Sequence, residues 1–254
     1  MRELSIAIFI STSNNTEDVF MKLFDLNFNT LKGIGLDFYI GCNKSSPELR
    51  QFVRERNLVL IDAGVESNWN DEVDAQIEIL NSNYNINSFL FILDDFVISS
   101  YNKSNLGITI DYFIKNNLDY VRLKERVYLK TIFASFLKKN FIYKIKKTSN
   151  YYNSLQIALW KVDAFRTCTD RNRGKSIWEF EWLLINENWS VRKSVFHYDH
   201  VIEKGKVRQS KLQLLKKSSV SFEGERAIYF DMSILSKIKR VKFFIFGYLF
   251  SARL

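Results

Sequence analysis

Two adjacent acids, Asp94 and Asp95, directly follow an unbroken apolar run from Phe89 to Leu93. A short run of this kind, rich in phenylalanine and isoleucine, predicts a strand buried on both faces of a mainly parallel sheet. In open α/β sheets, ligands bind beyond the carboxyl ends of the strands. With no basic residue within five positions, the two carboxylates predict a divalent cation that shares phosphate oxygens. Solvated loop acids, or a carboxylate that caps a turn, are the alternative.

The composition is that of a folded chain from a reducing compartment. Of the 254 residues, 46% are hydrophobic and 15% aromatic, which excludes a disordered chain. The two cysteines, Cys42 and Cys168, lie far apart and offer neither zinc spacing nor a disulfide framework. The apolar run from Leu4 to Ile10 is too short and too close to the start for a signal peptide, so we interpret it as a first core strand.

Strand and helix patterns alternate along the first half of the chain. This alternation predicts an α/β fold with a mostly parallel, Rossmann-like sheet flanked by helices, in a single domain over residues 1–231. Predicted strands cover Leu4–Ile10, Leu36–Ile40, Leu58–Ile61, Phe89–Leu93, Asp119–Leu123, Phe141–Ile145 and Leu155–Trp160. Predicted helices follow Thr16, Ser46 and Asn70, and cover Ile108–Ile114, Lys161–Cys168 and Ile177–Ile185. The stretch Val195–Val207 predicts a hairpin that turns at Gly205.

The C-terminal segment, residues 232–254, has a separate character. It carries five basic residues and no acid, which is a large part of the net charge of +9. Its apolar residues share one face of an amphipathic helix, and the eight-residue apolar run from Phe243 is too short to span a bilayer, which takes about 20. A basic, aromatic-rich helix suits an anionic membrane interface; packing on the domain's own core is the alternative.

Taken in order, these segments resemble bacterial glycosyltransferases of polysaccharide gene clusters (capsule or O-antigen type) with a GT-A-type fold. The resemblance extends from Leu4 to about Lys211. It rests on the order and spacing of seven short stretches: Ile8–Ser13, Asp62–Trp69, Leu93–Phe96, Tyr120–Leu123, Ser154–Trp160, Trp178–Glu181 and Glu203–Lys206. The resemblance implies a GT-A-like domain that binds a nucleotide sugar.

The resemblance also implies roles for residues of the first half. Asp94-Asp95 corresponds to the family's Asp-x-Asp-type motif, although only two acids stand in line here. Asp95 would hold Mg²⁺ or Mn²⁺, and Asp94 would face the ribose or share the ion. Ser11 and Thr12 occupy the place that receives the base and ribose, and Trp69 would stack on the base or wall the pocket. A helix-capping turn and a core tryptophan are the structural alternatives.

In the second half, the resemblance implies a metal ligand, a phosphate contact and a base. His200 would add to the metal site, where the family more often has asparagine. Lys206 or Arg208 would add positive charge near the diphosphate. Ser176 to Glu179 has the pattern of a capping box, which gives Glu179 a structural task. Because positions two apart do not share a helix face, the general base would be Glu181, with Glu179 as the second choice.

The sequence therefore predicts a metal-dependent glycosyltransferase at the cytoplasmic face of a membrane. It would move a sugar from a nucleotide donor, in which we expect the nucleotide to be UDP, to a glycan or lipid-linked glycan acceptor. We expect no nucleic acid as a partner. Two other functions fit the same residues. Paired acids with basic patches also serve metal-dependent nucleases and nucleotidyltransferases, and a non-enzymatic basic module would bind nucleic acid or anionic membrane.

Overall fold

The computed structural model describes residues 5–124, 141–147, 152–184, 187–203, 205–222 and 226–229. The helix predicted for residues 232–254 lies outside these ranges. The chain divides into two compact units, Met1–His200 and Val201–Leu254. The boundary predicted near residue 231 stays a prediction. Within the described ranges, no helix has both the length and the apolar character needed to cross a membrane.

Within the ranges given above, the larger unit is built on an eight-stranded sheet. Its strands are β1 (Ile6–Ser11), β2 (Phe38–Cys42), β3 (Val59–Asp62), β4 (Ser88–Leu93), β6 (Tyr120–Arg122), β7 (Ile142–Lys144), β8 (Ala158–Lys161) and β9 (Asn188–Val191). Their order across the sheet is β3-β2-β1-β4-β8-β6-β9-β7. Strands β5 (Phe96–Tyr101) and β10 (Phe196–His200) form a separate antiparallel ribbon.

The first four strands of the sheet are parallel, as the sequence predicts. Strand β1 pairs in parallel with β2 and β4, and β2 pairs in parallel with β3. Phe89 to Ile92 of β4 are fully buried, because helices cover both faces of the sheet at this point. The carboxyl ends of β1, β2 and β4 therefore lie side by side at one edge.

The other half of the sheet is mixed rather than parallel. Strand β8 runs antiparallel to both β4 and β6, and β7 runs antiparallel to β9. The regular alternation of parallel strands with crossover helices therefore does not continue through this half of the sheet. The fold is thus a mixed α/β sandwich whose parallel half carries the edge described above.

Helices cover the two faces of the sheet. In the described part of the larger unit they are α1 (Glu17–Leu31), α2 (Pro47–Glu55), α3 (Trp69–Tyr84), α4 (Lys103–Lys115), α5 (Val162–Arg171) and α6 (Ile177–Phe180). Phe20 and Phe24 of α1 pack into the core on one face. Val73, Ile77 and Leu80 of α3 pack into the core on the opposite face, as their spacing predicts.

The smaller unit contains β11 (Ile202–Glu203), β12 (Lys206–Arg208), β13 (Ile228–Tyr229) and α7 (Leu212–Lys217). Strands β11 and β12 form the predicted hairpin, in which Gly205 has φ of +72°. The hairpin is shorter than the predicted range of Val195–Val207. Residues Phe196–His200 pair with β5 instead.

Candidate functional site

A cavity of about 210 Å³ opens beside the carboxyl ends of β1 and β4. Five of the predicted site residues line it: Ser11, Thr12, Trp69, Asp94 and Asp95. They come from three separate segments, which the parallel strands and the start of α3 bring to one edge of the sheet. The volume is below the roughly 300–1,000 Å³ of most ligand pockets. A cavity of this size would enclose only part of a nucleotide sugar.

Asp94 is fixed by hydrogen bonds from β1. The Oγ1 hydroxyl of Thr12 donates to Asp94 Oδ2 over 2.6 Å, and the Asp94 amide donates to the Ser11 carbonyl over 3.2 Å. Both residues of the Thr12–Asp94 pair are almost fully buried. A hydrogen bond to a buried carboxylate is stronger than one between neutral groups. The pair therefore locks the end of β1 to the turn that follows β4.

Asp95 faces the last residue of β10. Its Oδ2 lies 2.6 Å from Nε2 of His200, whose ring packs edge-on against Phe96 with centroids 5.4 Å apart. His200 is brought there by the pairing of β10 with β5, in which it stands opposite Phe96. Among the described residues, Oδ1 of Asp95 is buried and has no hydrogen-bond partner.

The Asp95–His200 pair fits a divalent cation in part. A buried carboxylate oxygen without a partner is costly unless a donor or a cation meets it. The described residues contain no cluster of three or more histidine, cysteine or acidic side chains. Asp94 accepts its hydrogen bond from Thr12, and whether it shares the ion stays a prediction. Mg²⁺ is often bound by one or two carboxylates together with substrate phosphates, and Asp95 supplies one such carboxylate.

Trp69 forms a wall of the cavity and also packs in the core. It is the first residue of α3, whose N-cap, Asn68, accepts hydrogen bonds from the amides of Asn70 and Asp71. Its indole meets Phe180 edge to face, with centroids 5.6 Å apart and an interplanar angle of 82°. The Trp69 side chain therefore lines the cavity and packs in the core at the same time.

The two later glutamates have structural partners. Glu179 accepts hydrogen bonds from the amide and hydroxyl of Ser176 over 2.9 and 3.0 Å, which confirms the predicted capping box. The bond from the Ser176 amide lowers the pKa of Glu179 below its ordinary value. Glu181 Oε1 accepts from the Leu155 amide over 3.0 Å. Ile177, a few residues before them in the sequence, lines the cavity, whereas Glu179 and Glu181 do not.

The structure leaves the role of Lys206 a prediction. Lys206 lies on β12 in the smaller unit, where its side chain is exposed. Arg208, two positions later on the same short strand, is half-buried.

The cavity also contains two residues of α3 that the sequence does not single out, Glu72 and Gln76. Glu72 Oε1 accepts hydrogen bonds from the side chain of Asn43 and the amide of Ser67. Gln76 is 2% exposed, and its Oε1 has no hydrogen-bond partner within the described part of the chain. The only sequence feature that points to Gln76 is Gly41. A glycine in a strand often marks a place where another group approaches the backbone closely.

The fold is similar to that of a protein solved in complex with a nucleotide sugar. Residues 1–349 of S. aureus TarS in complex with UDP-GlcNAc match with a TM-score of 0.52 and 13% identity, over 80% of this chain and 60% of that one. A putative nucleotide-diphospho-sugar transferase from Desulfovibrio desulfuricans G20 matches with a TM-score of 0.47 and 7% identity, over 74% and 80%. The similarity to TarS confirms the predicted GT-A-like α/β fold.

The similarity shows the fold alone. The chain spans about 60% of the TarS structure, at an identity too low to carry over its ligand. The sequence matches no protein-family model and no curated protein.

Proposed function

We propose that the chain is a metal-dependent glycosyltransferase. Its donor is a nucleoside-diphosphate sugar, and the proposed nucleotide is UDP. The observation that carries the proposal is the arrangement at Asp95. Its carboxylate stands at the end of a buried strand, beside a cavity, with one oxygen on His200 and the other without a partner among the described residues. The GT-A-like fold supports the proposal, since other proteins of that fold bind such donors.

The donor would lie along the edge of the sheet. Ser11, Thr12 and Trp69 would contact the nucleoside, because they line the cavity. Asp94, held by Thr12, would accept a hydrogen bond from a ribose hydroxyl. Asp95 and His200 would hold Mg²⁺ or Mn²⁺, which would offset the charge that grows on the departing diphosphate. That Lys206 adds positive charge near the diphosphate stays a prediction from the sequence resemblance.

In the reaction, the bond between the anomeric carbon and the diphosphate oxygen breaks, and its electron pair leaves with the diphosphate. A bond forms between the same carbon and an acceptor hydroxyl, whose proton passes to a general base. Glu181 is the proposed base. It would have to exchange its hydrogen bond with Leu155 for one with the acceptor. Glu179, tied to Ser176, is the weaker candidate.

The acceptor and the location are proposed on the sequence resemblance. The acceptor would be a glycan or lipid-linked glycan of a surface polysaccharide such as a capsule or O-antigen. The enzyme would be peripheral on the inner face of the cell membrane, attached through the basic segment of residues 232–254. A variant ending at residue 231 should lose binding to anionic liposomes and stay folded.

Substitution of Asp95 tests the proposal. Purified protein would be incubated with UDP-sugars and Mn²⁺, and both sugar transfer and donor hydrolysis would be measured. In Asp95→Asn, both sugar transfer and donor hydrolysis should be at least about 100-fold slower than in the wild type. Asp25→Asn, which removes a carboxylate from a surface ion pair with Arg56, serves as the matched control. Full activity in Asp95→Asn, or nuclease activity in place of sugar turnover, would contradict the proposal.

A further inference from the structure

Gln76 is one of three buried polar residues on the inward face of α3, together with Asn70 and Asp74. Its neighbours on that face, Val73, Ile77 and Leu80, form part of a hydrophobic core. Gln76 is 2% exposed and lines the cavity, yet its Oε1 has no hydrogen-bond partner among the described residues. Buried polar side-chain atoms in native proteins are nearly always paired. The amide oxygen therefore calls for a partner that the described residues do not provide.

The backbone of β2 is shaped around this amide. A Cβ built on Gly41 would lie 2.3 Å from Gln76 Oε1 and 2.4 Å from Cζ of Phe9, both far inside contact distance. Glycine at position 41 thus lets the amide lie against the strand. The terminal torsion of glutamine has a broad energy profile, so the amide can turn its oxygen toward a ligand without moving the rest of the side chain.

The position of Gln76 relative to Asp94 and Asp95 indicates which part of a ligand it would meet. Gly41, Ser11 and Leu93 stand side by side on β2, β1 and β4. Two strand spacings, about 9.5 Å, therefore separate Gly41 from the residue that precedes Asp94. In a nucleoside diphosphate, the ribose separates the base from the phosphates by a similar step. A diphosphate at Asp95 would place its base toward Gln76.

We propose that Gln76 reads the hydrogen-bonding edge of a pyrimidine base in the donor. This inference rests on the proposed function and deepens it. A carboxamide offers an acceptor and a donor side by side. Uracil complements them with N3–H and a carbonyl oxygen, and cytosine with its amino group and N3. The cavity of about 210 Å³ favours the smaller, pyrimidine bases over purines.

Replacing the amide by a carboxylate removes the hydrogen-bond donor of Gln76. Glutamate has almost the same shape as glutamine but only accepts hydrogen bonds. Toward either pyrimidine it keeps one hydrogen bond, from N3–H of uracil or from the amino group of cytosine, and opposes the neighbouring acceptor, a carbonyl oxygen or N3. A residue that served only to fill space would tolerate a replacement of the same length without loss of nucleotide affinity.

The experiment is calorimetric titration of the full chain with UDP, CDP and GDP in the presence of Mn²⁺. The variants are Gln76→Glu and Gln76→Met, which is similar in length and forms no such hydrogen bonds. Ser88→Ala is the matched control, because Ser88 Oγ is also buried without a described partner but lies at the opposite end of β4. Thermal denaturation reports whether each variant is folded.

We expect the wild type to bind pyrimidine nucleotides more tightly than GDP. Gln76→Met should weaken both pyrimidines about 3- to 10-fold, Gln76→Glu should weaken both at least as much, and Ser88→Ala should change neither. Unchanged affinity in Gln76→Glu or in Gln76→Met, or equal binding of GDP, would overturn the inference while the proposed function stands. Absence of any nucleotide binding by the wild type would contradict both.

Discussion

Asp95 Oδ2 and His200 Nε2 lie 2.6 Å apart, although the two residues are separated by 105 positions in the sequence. Each stands at the end of a strand: Asp95 follows β4, and His200 ends β10. The ribbon of β5 and β10 returns the chain to the edge of the sheet. A late segment of the larger unit thereby completes a site that begins with the first buried strands.

His200 should lower the metal concentration that the enzyme needs for activity. We expect His200→Ala to raise the Mn²⁺ concentration needed for half-maximal activity by about 10- to 100-fold, since loss of a group that binds or orients a metal typically has an effect of this size. The control is His197→Ala, which removes the other histidine of β10, an exposed one. Equal Mn²⁺ requirements in the two variants would show that His200 has no part in metal binding.

The hydrogen bond from Thr12 should stabilise the buried Asp94. Thr12→Val keeps the shape of the side chain but removes the donor to Asp94 Oδ2. The free energy of unfolding, measured by urea denaturation, should fall by about 1.5–3 kcal/mol, the range for hydrogen bonds to charged groups. Thr12→Ser keeps the hydroxyl and should lose much less. Similar losses in both variants would indicate that the methyl group, rather than the hydrogen bond, is responsible.

Gly41 should not tolerate a side chain. In Gly41→Ala the new methyl group would collide with Gln76 and Phe9, and relief of such overpacking typically costs about 1–3 kcal/mol. Gly107→Ala is the contrasting variant, because Gly107 lies in α4 and a Cβ there meets nothing within 4 Å. That variant should gain up to about 1 kcal/mol from the higher helix propensity of alanine. A Gly41→Ala protein as stable as wild type would contradict the close packing.

Both cysteines should be unreactive in the folded protein. Cys42 and Cys168 are fully buried, and burial raises the pKa of each thiol to about 12, against an ordinary value of 9.0. A thiol reagent at pH 8 should therefore label neither one until the chain unfolds. As the pH rises above 9, the unfolded chain releases thiol protons that the folded chain retains, so stability should fall. Rapid labelling of native protein would contradict this.

Glu181 should affect the chemical step if it is the general base. We expect Glu181→Gln to lower kcat by about 10²–10⁴-fold with little change in KM for the donor. Because Glu181 also holds the Leu155 amide, far-UV circular dichroism must show that the variant is folded. Glu179→Gln gives the comparison, and a larger kcat loss in that variant would move the role of base to Glu179.

The sequence predicts the parallel half of the fold because the signals there are local. Phe89 to Leu93 are all apolar, and Ser11 and Thr12 follow a similar run, so both strands and the residues at their ends can be recognised. Strand β5 is not predicted, since it pairs with β10 about 100 residues later and its partner cannot be read from nearby residues. Helix α6 ends at Phe180, four residues after its Ser176 cap and before the predicted Ile185.

Gln76 shows what sequence patterns miss at the site. A single glutamine in an amphipathic helix belongs to no motif, and only the packed structure shows that its oxygen lacks a described partner. Glu181 is a similar case. Its spacing from Glu179 predicts different tasks for the two carboxylates, but the contact with Leu155 depends on a loop 26 residues away.

The most direct test of the account is a titration of Mn²⁺ into wild-type protein and Asp95→Asn, with and without UDP, followed by electron paramagnetic resonance. If Asp95 and the diphosphate share the ion, UDP should tighten Mn²⁺ binding by the wild type, and Mn²⁺ should tighten UDP binding by the same factor. Asp95→Asn should lose this mutual effect. Mn²⁺ binding that ignores both UDP and the substitution would contradict the central claim.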